Sequence, residues 1–202
     1  HGPDIFFEPY HWRIDEKAAR ASFVACISEY CRSQLMCFAD RSHWDRLHIV
    51  HCAIEPERYG KTWHSGQRML FVGRLAAVKG VPILLQAMAQ LKPDMPDLEL
   101  TLIGDGSERA ALQHMAKTLG LSDCTHFKGY KNQTEVAAAL LEADLFVLPS
   151  FAEGVPVVLM EAMAAGLPVI SGDLPTIREL VEHDKTGLLI DPEDSTALPA
   201  AI

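Results

Sequence analysis

Two glutamates eight positions apart, Glu153 and Glu161, are the residues of this sequence best placed to do chemistry. They bracket the predicted start of a short apolar helix, which follows a predicted buried strand at residues 145–150. Pro156 has the fixed φ favoured at a first helical position. Because a helix start leaves backbone N–H groups unpaired and carries partial positive charge, this loop is a candidate phosphate site. The loop consists of Gly154, Val155, Pro156 and Val157.

Carboxylates beside a bound phosphate can accept hydrogen bonds from the hydroxyl groups that flank it. The alternative is that Glu153 only complements the helix dipole and that Glu161 is a solvated side chain. The apolar run before Glu153 and the small-residue run AMAAG after Glu161 favour the functional interpretation.

The stretch EGVPVVLMEAMAAG, residues 153–166, resembles the signature of retaining glycosyltransferases of family four, the group 1 glycosyltransferases. These enzymes have the GT-B fold and use sugar nucleotides. The resemblance implies that Glu153 contacts hydroxyls of the donor sugar, that Glu161 contacts the ribose, and that the amides between them bind the diphosphate. Retention of anomeric configuration is implied by the resemblance alone, and no nucleophile is assigned.

Two cations follow another predicted strand, in the stretch FVGRLAAVKG at residues 71–80. Arg74 comes just past the strand and Lys79 stands at the predicted start of the next helix, so both can meet one pyrophosphate. The alternative is a pair of solvated charges. The pattern G-R-x-x-x-x-K-G, which begins at Gly73, also resembles the family, and it implies that both cations stabilise the leaving nucleoside diphosphate.

Weaker signals lie elsewhere in the chain. The opening HGPDIFF resembles a His-Gly loop of the family, which places His1 near the donor sugar, with an ordinary loop histidine as the alternative. Gly129 and Tyr130 match the place where the family receives the nucleobase, or else they form a structural turn. The run LIGDGSE lacks the third glycine of a dinucleotide loop, so we predict a turn shaped by Asp105 or Ser107 and no NAD site.

Composition limits the class of protein. A net charge of −9 argues against nucleic acid as a partner, and no apolar run approaches the length of a membrane span. Five cysteines without a C-x-x-C pair predict neither a disulfide framework nor a zinc site. Because the sequence contains no D-x-D pair, we expect no metal and no cofactor. The expected location is the cytoplasm. The resemblance to bacterial polysaccharide-assembly members of the family implies, in addition, peripheral contact at the inner face of the cell membrane.

Short apolar runs alternate with helical patterns, which predicts an α/β fold with a parallel sheet and helices on both faces. Ligands of such sheets bind beyond the carboxyl ends of the strands. We expect two Rossmann-like units of a GT-B protein: the end of an N-terminal acceptor-side domain at 1–54, a linker at 55–67, and the donor-binding domain at 68–202. The predicted strands lie at 69–75, 98–106, 125–130, 145–150, 167–171 and 187–191, and the last predicted helix between them is TIRELVEH, 176–183.

The resemblance to group 1 glycosyltransferases thus implies a retaining hexosyltransferase of polysaccharide or glycolipid biosynthesis, with a nucleoside-diphosphate sugar as donor and a sugar or lipid-linked sugar as acceptor. The chain lacks an initial methionine and ends early in a predicted helix, so we expect a fragment that is inactive alone. Two alternatives stay open: a sugar-nucleotide 2-epimerase of the same fold, and a non-catalytic nucleotide-sugar-binding module. Base, sugar, acceptor and oligomeric state are not predicted.

Overall fold

A computed structural model describes residues 11–60 and 66–202 of the chain. His1, the candidate near the donor sugar, lies outside the described residues. The strands are β1 Val24–Cys26, β2 Leu47–Ile49, β3 Arg68–Val72, β4 Glu99–Ile103, β5 Thr125–Gly129, β6 Leu145–Leu148, β7 Val169–Gly172 and β8 Leu188–Ile190. The helices are α1 Ile14–Arg20, α2 Glu29–Phe38, α3 Val81–Leu91, α4 Arg109–Thr118, α5 Gln133–Glu142, α6 Val157–Ala164 and α7 Ala197–Ala201. Among these elements no helix is both long and apolar enough to cross a bilayer.

The larger sheet has six parallel strands in the order β5-β4-β3-β6-β7-β8. Its strands are short apolar runs because both faces of a parallel sheet are covered. One core cluster surrounds it and includes the fully buried Phe71, Leu102 and Phe146. The six predicted strands are therefore confirmed, although each is shorter than its apolar run.

A smaller unit precedes this sheet. Strands β1 and β2 pair in parallel, and Cys26, Cys31, Leu35 and Leu47 form their own core cluster. The run EYCRSQLMCFA predicts a helix with Ser28 as its N-cap, and Ser28 is the N-cap of α2, because its side chain accepts a hydrogen bond from the backbone N–H of Cys31. The apolar alternation of LHIVHCAI predicts a strand over residues 47–54, but the observed strand is limited to β2. The proposed domain boundaries stay a prediction.

Three local predictions were wrong. Residues 176–183 do not form a helix: 176–180 form consecutive turns, whose hydrogen bonds alternate between three-residue and four-residue spacing, and His183 forms an isolated bridge with Gly187. Tertiary contacts hold this path, since Ile177 is fully buried and the Thr176 hydroxyl donates to the backbone carbonyl of Glu153. Pro156 is the N-cap of α6 instead of its first residue. The sequence predicts that Thr134 and Glu135 cap the helix after Tyr130, whereas the cap of α5 is Asn132, which forms a capping box with Glu135.

Candidate functional site

The site lies where the strand order of the sheet reverses. From β3 the chain crosses to β4 on one side, and from β6 it crosses to β7 on the other. The carboxyl ends of β3 and β6 are neighbours, so the loops that follow them meet at the crevice where such sheets bind ligands. The backbone N–H of Phe151 donates to the carbonyl of Val78 at 2.9 Å and joins the two loops.

Gly80 allows the two loops to approach closely. Its φ is +68°, and a Cβ there would lie 1.9 Å from the carbonyl oxygen of Pro149. Only glycine adopts this conformation without strain and leaves that space empty. The contact brings Lys79, the residue before it, against the loop that carries Glu153.

Lys79 and Glu153 form the central ion pair of the site. The Lys79 Nζ atom lies 2.7 and 2.8 Å from the two carboxylate oxygens of Glu153. The buried hydroxyl of Ser150 donates to Glu153 Oε1 at 2.7 Å. The side chains are 18% exposed for Lys79 and 6% for Glu153, so the pair is largely shielded from water. It therefore offers one fixed carboxylate and one fixed cation to a ligand in the crevice.

Helix α6 begins directly beside this pair. Its N-cap, Pro156, is buried and has no N–H to donate, so it contributes no hydrogen bond to a phosphate. The donors of the predicted phosphate loop are the amides of Gly154, Val155 and Val157, and these amides make no hydrogen bond to any residue that the structure describes. Val157 is 40% exposed, so the helix start is open to solvent. An anion is favoured there.

Glu161 lies one turn into α6 and is buried, at 6% exposed. The hydroxyl of Tyr59 donates to its Oε1 atom at 2.7 Å. Burial, and then the hydrogen bond to the Glu161 carboxylate, raises the pKa of Tyr59 to about 12. The phenol therefore keeps its proton at neutral pH and acts as the donor. The interpretation of Glu161 as a solvated side chain was wrong.

The remaining predicted residues lie along the same edge of the sheet. Arg74 is exposed after β3 and has no ion pair within the described part of the chain. The Gly73 amide donates to the carbonyl of Ile103, so this amide has a structural role. Gly129 has a φ of +69° at the end of β5, and Tyr130 is 82% exposed beside it. Their strand is two positions from β3, farther from the Lys79–Glu153 pair.

The turn after β4 is shaped as predicted by Asp105 and not by Ser107. The Asp105 carboxylate accepts hydrogen bonds from the Gly106 amide and from Arg109. These two contacts, with the backbone amide the stronger, hold the pKa of Asp105 below its usual value.

Sequence reasoning missed three residues of the site: Tyr59, Ser150 and Thr176. Ser150 stands only three positions before Glu153, so the hydrogen bond between their side chains is local in the sequence. Tyr59 and Thr176 reach the site from 102 and 23 residues away. No local pattern pairs residues at such separations.

Comparison with known proteins identifies the family. Residues 61–202 match the family described as glycosyl transferases group 1. The chain belongs to this family.

This group 1 glycosyltransferase chain is similar to a named bacterial glycosyltransferase. It is 38% identical over 168 residues to the amylovoran biosynthesis glycosyltransferase AmsK of Erwinia amylovora, a match that covers 78% of this chain and 41% of AmsK. The chain therefore spans about two fifths of the length of that relative.

Solved structures agree on the fold. Anabaena HepE in complex with UDP and glucose superposes with a TM-score of 0.83 at 24% identity, over 94% of this chain and 55% of HepE. A mutant of S. aureus TarM gives a TM-score of 0.86 at 18% identity, over 96% of this chain and 38% of TarM. These neighbours confirm the GT-B fold with its Rossmann-like domain.

Proposed function

We propose that this chain is the donor-binding part of a retaining hexosyltransferase, which moves a sugar from a nucleoside-diphosphate sugar to an acceptor hydroxyl. The proposed acceptor is a sugar or a lipid-linked sugar, and the proposed process is polysaccharide or glycolipid biosynthesis. The observation that carries the proposal is the Lys79–Glu153 ion pair beside the start of α6, at the reversal of strand order.

In the proposed complex, the donor diphosphate lies between the start of α6 and the two cations. An ammonium group has three N–H donors and Glu153 takes at most two of them, so Lys79 keeps one for a phosphate oxygen. Arg74 adds a planar fork of donors from the end of β3. Glu153 then accepts a hydrogen bond from the donor sugar.

The proposed reaction breaks the bond between the anomeric carbon and the diphosphate oxygen. The electron pair leaves with the diphosphate, and its developing negative charge is stabilised by Lys79, Arg74 and the amides at the start of α6. The acceptor hydroxyl attacks the anomeric carbon on the same face and gives its proton to an oxygen of the departing diphosphate. Because the chain itself supplies these positive groups and contains no D-x-D pair, we propose transfer without a divalent metal.

The names of relatives support the proposed substrate class. AmsK is named for amylovoran biosynthesis, and HepE has been solved with UDP-glucose as well as with UDP and glucose. A polysaccharide-assembly role fits these names. We further propose, beyond what the names say, that it takes place on the cytoplasmic side of the membrane, with peripheral contact through an N-terminal domain.

The test is calorimetric titration of the 202-residue chain with UDP, GDP, ADP and their sugar conjugates, without and with magnesium. We expect one nucleoside diphosphate to bind without magnesium. Three variants assign the roles. Glu161→Ala should weaken nucleotide binding, Glu153→Ala should affect the sugar nucleotide more than the free diphosphate, and Arg74→Ala should lose about tenfold affinity for the diphosphate but little for the nucleoside.

The matched control is Lys117→Ala, which removes an exposed positive charge from α4, away from the crevice. It should leave every affinity unchanged. Wild-type affinities in both glutamate variants would refute the site assignment. Incubation with sugar nucleotide alone adds a further check, because epimerised donor formed without an acceptor would identify a 2-epimerase instead.

A further inference from the structure

Tyr59 connects the segment before β3 to the candidate donor site. It is 5% exposed and belongs to the same core cluster as the six-stranded sheet. Its hydroxyl donates to Glu161 Oε1, 102 residues further along the chain. A tyrosine in this position supplies an apolar ring to the core and one polar group to a buried carboxylate. The Tyr59 hydroxyl therefore bonds to the Glu161 carboxylate. The proposed function requires this carboxylate to have a fixed position.

The hydrogen bond leaves the two oxygens of Glu161 in different states. Oε1 is bonded to Tyr59, whereas Oε2 has no hydrogen bond to any residue within 11–60 or 66–202. A carboxylate held by one oxygen loses its rotational freedom, and the other oxygen keeps a defined direction. Glu161 thus presents one acceptor atom instead of two exchangeable ones.

Glu161 lies close enough to the start of α6 for one nucleotide to contact both. Glu161 follows the exposed Val157 by four positions, so the two residues share one face of the helix. Four residues of helix separate them by about 6 Å along the axis, slightly more than one turn. A ribose joined to a diphosphate at the helix start falls within this distance, because only the 5′ carbon and its oxygen separate the two groups.

The segment that carries Tyr59 is itself anchored to the donor-binding unit. Residues Pro56–Arg58 form a 3-10 turn, and the amide of Tyr59 donates to the carbonyl of Pro56. The guanidinium of Arg58 donates to the side-chain oxygen of Gln133 at the start of α5 at 3.1 Å. The tyrosine is therefore held in register from its own turn and from a second helix, as a positioning group requires.

We propose that Tyr59 is a positioning residue, which orients the Glu161 carboxylate so that its Oε2 atom accepts a ribose hydroxyl of the bound nucleotide. This inference rests on the proposed function, because it requires Glu161 to contact the ribose. Tyr59 itself touches no substrate. Its removal should reduce the discrimination between ribose and deoxyribose forms of the nucleotide.

The test is calorimetry with UDP, GDP and ADP, each paired with its 2′,3′-dideoxy counterpart, on wild type, Tyr59→Phe, Glu161→Ala and the double variant. Tyr59→Phe removes the hydroxyl and keeps the ring in the core. We expect it to bind the ribose form about 5-fold to 10-fold more weakly, and the dideoxy form within about twofold of wild type. In the Glu161→Ala background the same change should have no further effect on ribose preference.

Tyr30→Phe, on α2, is the matched control, and it should keep the wild-type ribose preference. A circular dichroism melt on every variant separates loss of fold from loss of recognition, since a merely structural tyrosine would lower both affinities together. If Glu161→Ala loses ribose preference while Tyr59→Phe keeps it, the positioning role is wrong and the proposed function stands. If Glu161→Ala keeps the preference, or no nucleotide binds, the proposed function fails with it.

Discussion

Removing the cation of the Lys79–Glu153 pair should destabilise the fold far more than removing an exposed lysine. At an effective dielectric constant of about 20, two unit charges 2.7 Å apart attract each other by about 6 kcal/mol. Desolvation of both groups offsets part of this attraction in the folded protein. The variant Lys79→Met keeps most of the apolar stem but leaves the Glu153 carboxylate buried with only neutral donors.

The expected cost of Lys79→Met is about 3 kcal/mol, the lower end of the range for breaking a buried pair, because Lys79 retains some exposure. For a chain of this size, that loss lowers the midpoint of thermal unfolding by about 6–12 °C. The assay is urea unfolding at neutral pH, followed by circular dichroism.

Lys131 offers the matched control. Its ammonium also lies 2.7 Å from a carboxylate, that of Glu135, but both side chains are over one-third exposed. Lys131→Met should therefore cost no more than about 0.5 kcal/mol. The shortest pair distance is the same in both cases, and the main difference between the two pairs is their burial.

A double-mutant cycle isolates the pair from other effects of the substitution. Glu153→Gln removes the buried charge, so Lys79→Met in that background should cost at least about 1 kcal/mol less than it does alone. Additive costs, or a Lys79→Met variant as stable as Lys131→Met, would refute the reasoning that burial makes this pair strong.

Two further predictions concern backbone strain and pH. Gly80→Ala should cost at least about 3 kcal/mol in urea unfolding, because the added Cβ would lie 1.9 Å from the Pro149 carbonyl oxygen. The control is Gly120→Ala, at a similar φ of +70° but with no atom within 4 Å of the added Cβ, which should cost only about 1 kcal/mol. Equal costs would contradict the steric argument. The pKa of Tyr59 is about 12 in the folded state, above the ordinary tyrosine value near 10. The protonated phenol therefore contributes its full stabilisation below pH 10, and this contribution is lost as the pH rises toward 12. The free energy of unfolding of wild type should therefore fall more steeply than that of Tyr59→Phe above pH 10, and parallel profiles would show that the phenol does not contribute.

The fold class was predictable because each strand of a parallel sheet is buried on both faces and appears as a continuous apolar run. The start of α2 was equally predictable, since the bond from Ser28 reaches only three residues ahead. The non-helical path of residues 176–183 was not predictable, because the apolar spacing there favours a helix and the contacts of Thr176 and Ile177 with distant parts of the chain override it.

The sequence by itself determined which side chains are available at the site: Glu153 and Glu161 around a helix start, with Arg74 and Lys79 after an earlier strand. The residue types and the spacing within each of these two segments can be seen directly in the sequence. Only the tertiary structure decided how they are paired. Lys79 meets Glu153 across 74 residues, because the parallel sheet places the carboxyl ends of distant strands side by side. Tyr59 meets Glu161 across 102 residues, because the Tyr59 ring packs into the core of the same sheet.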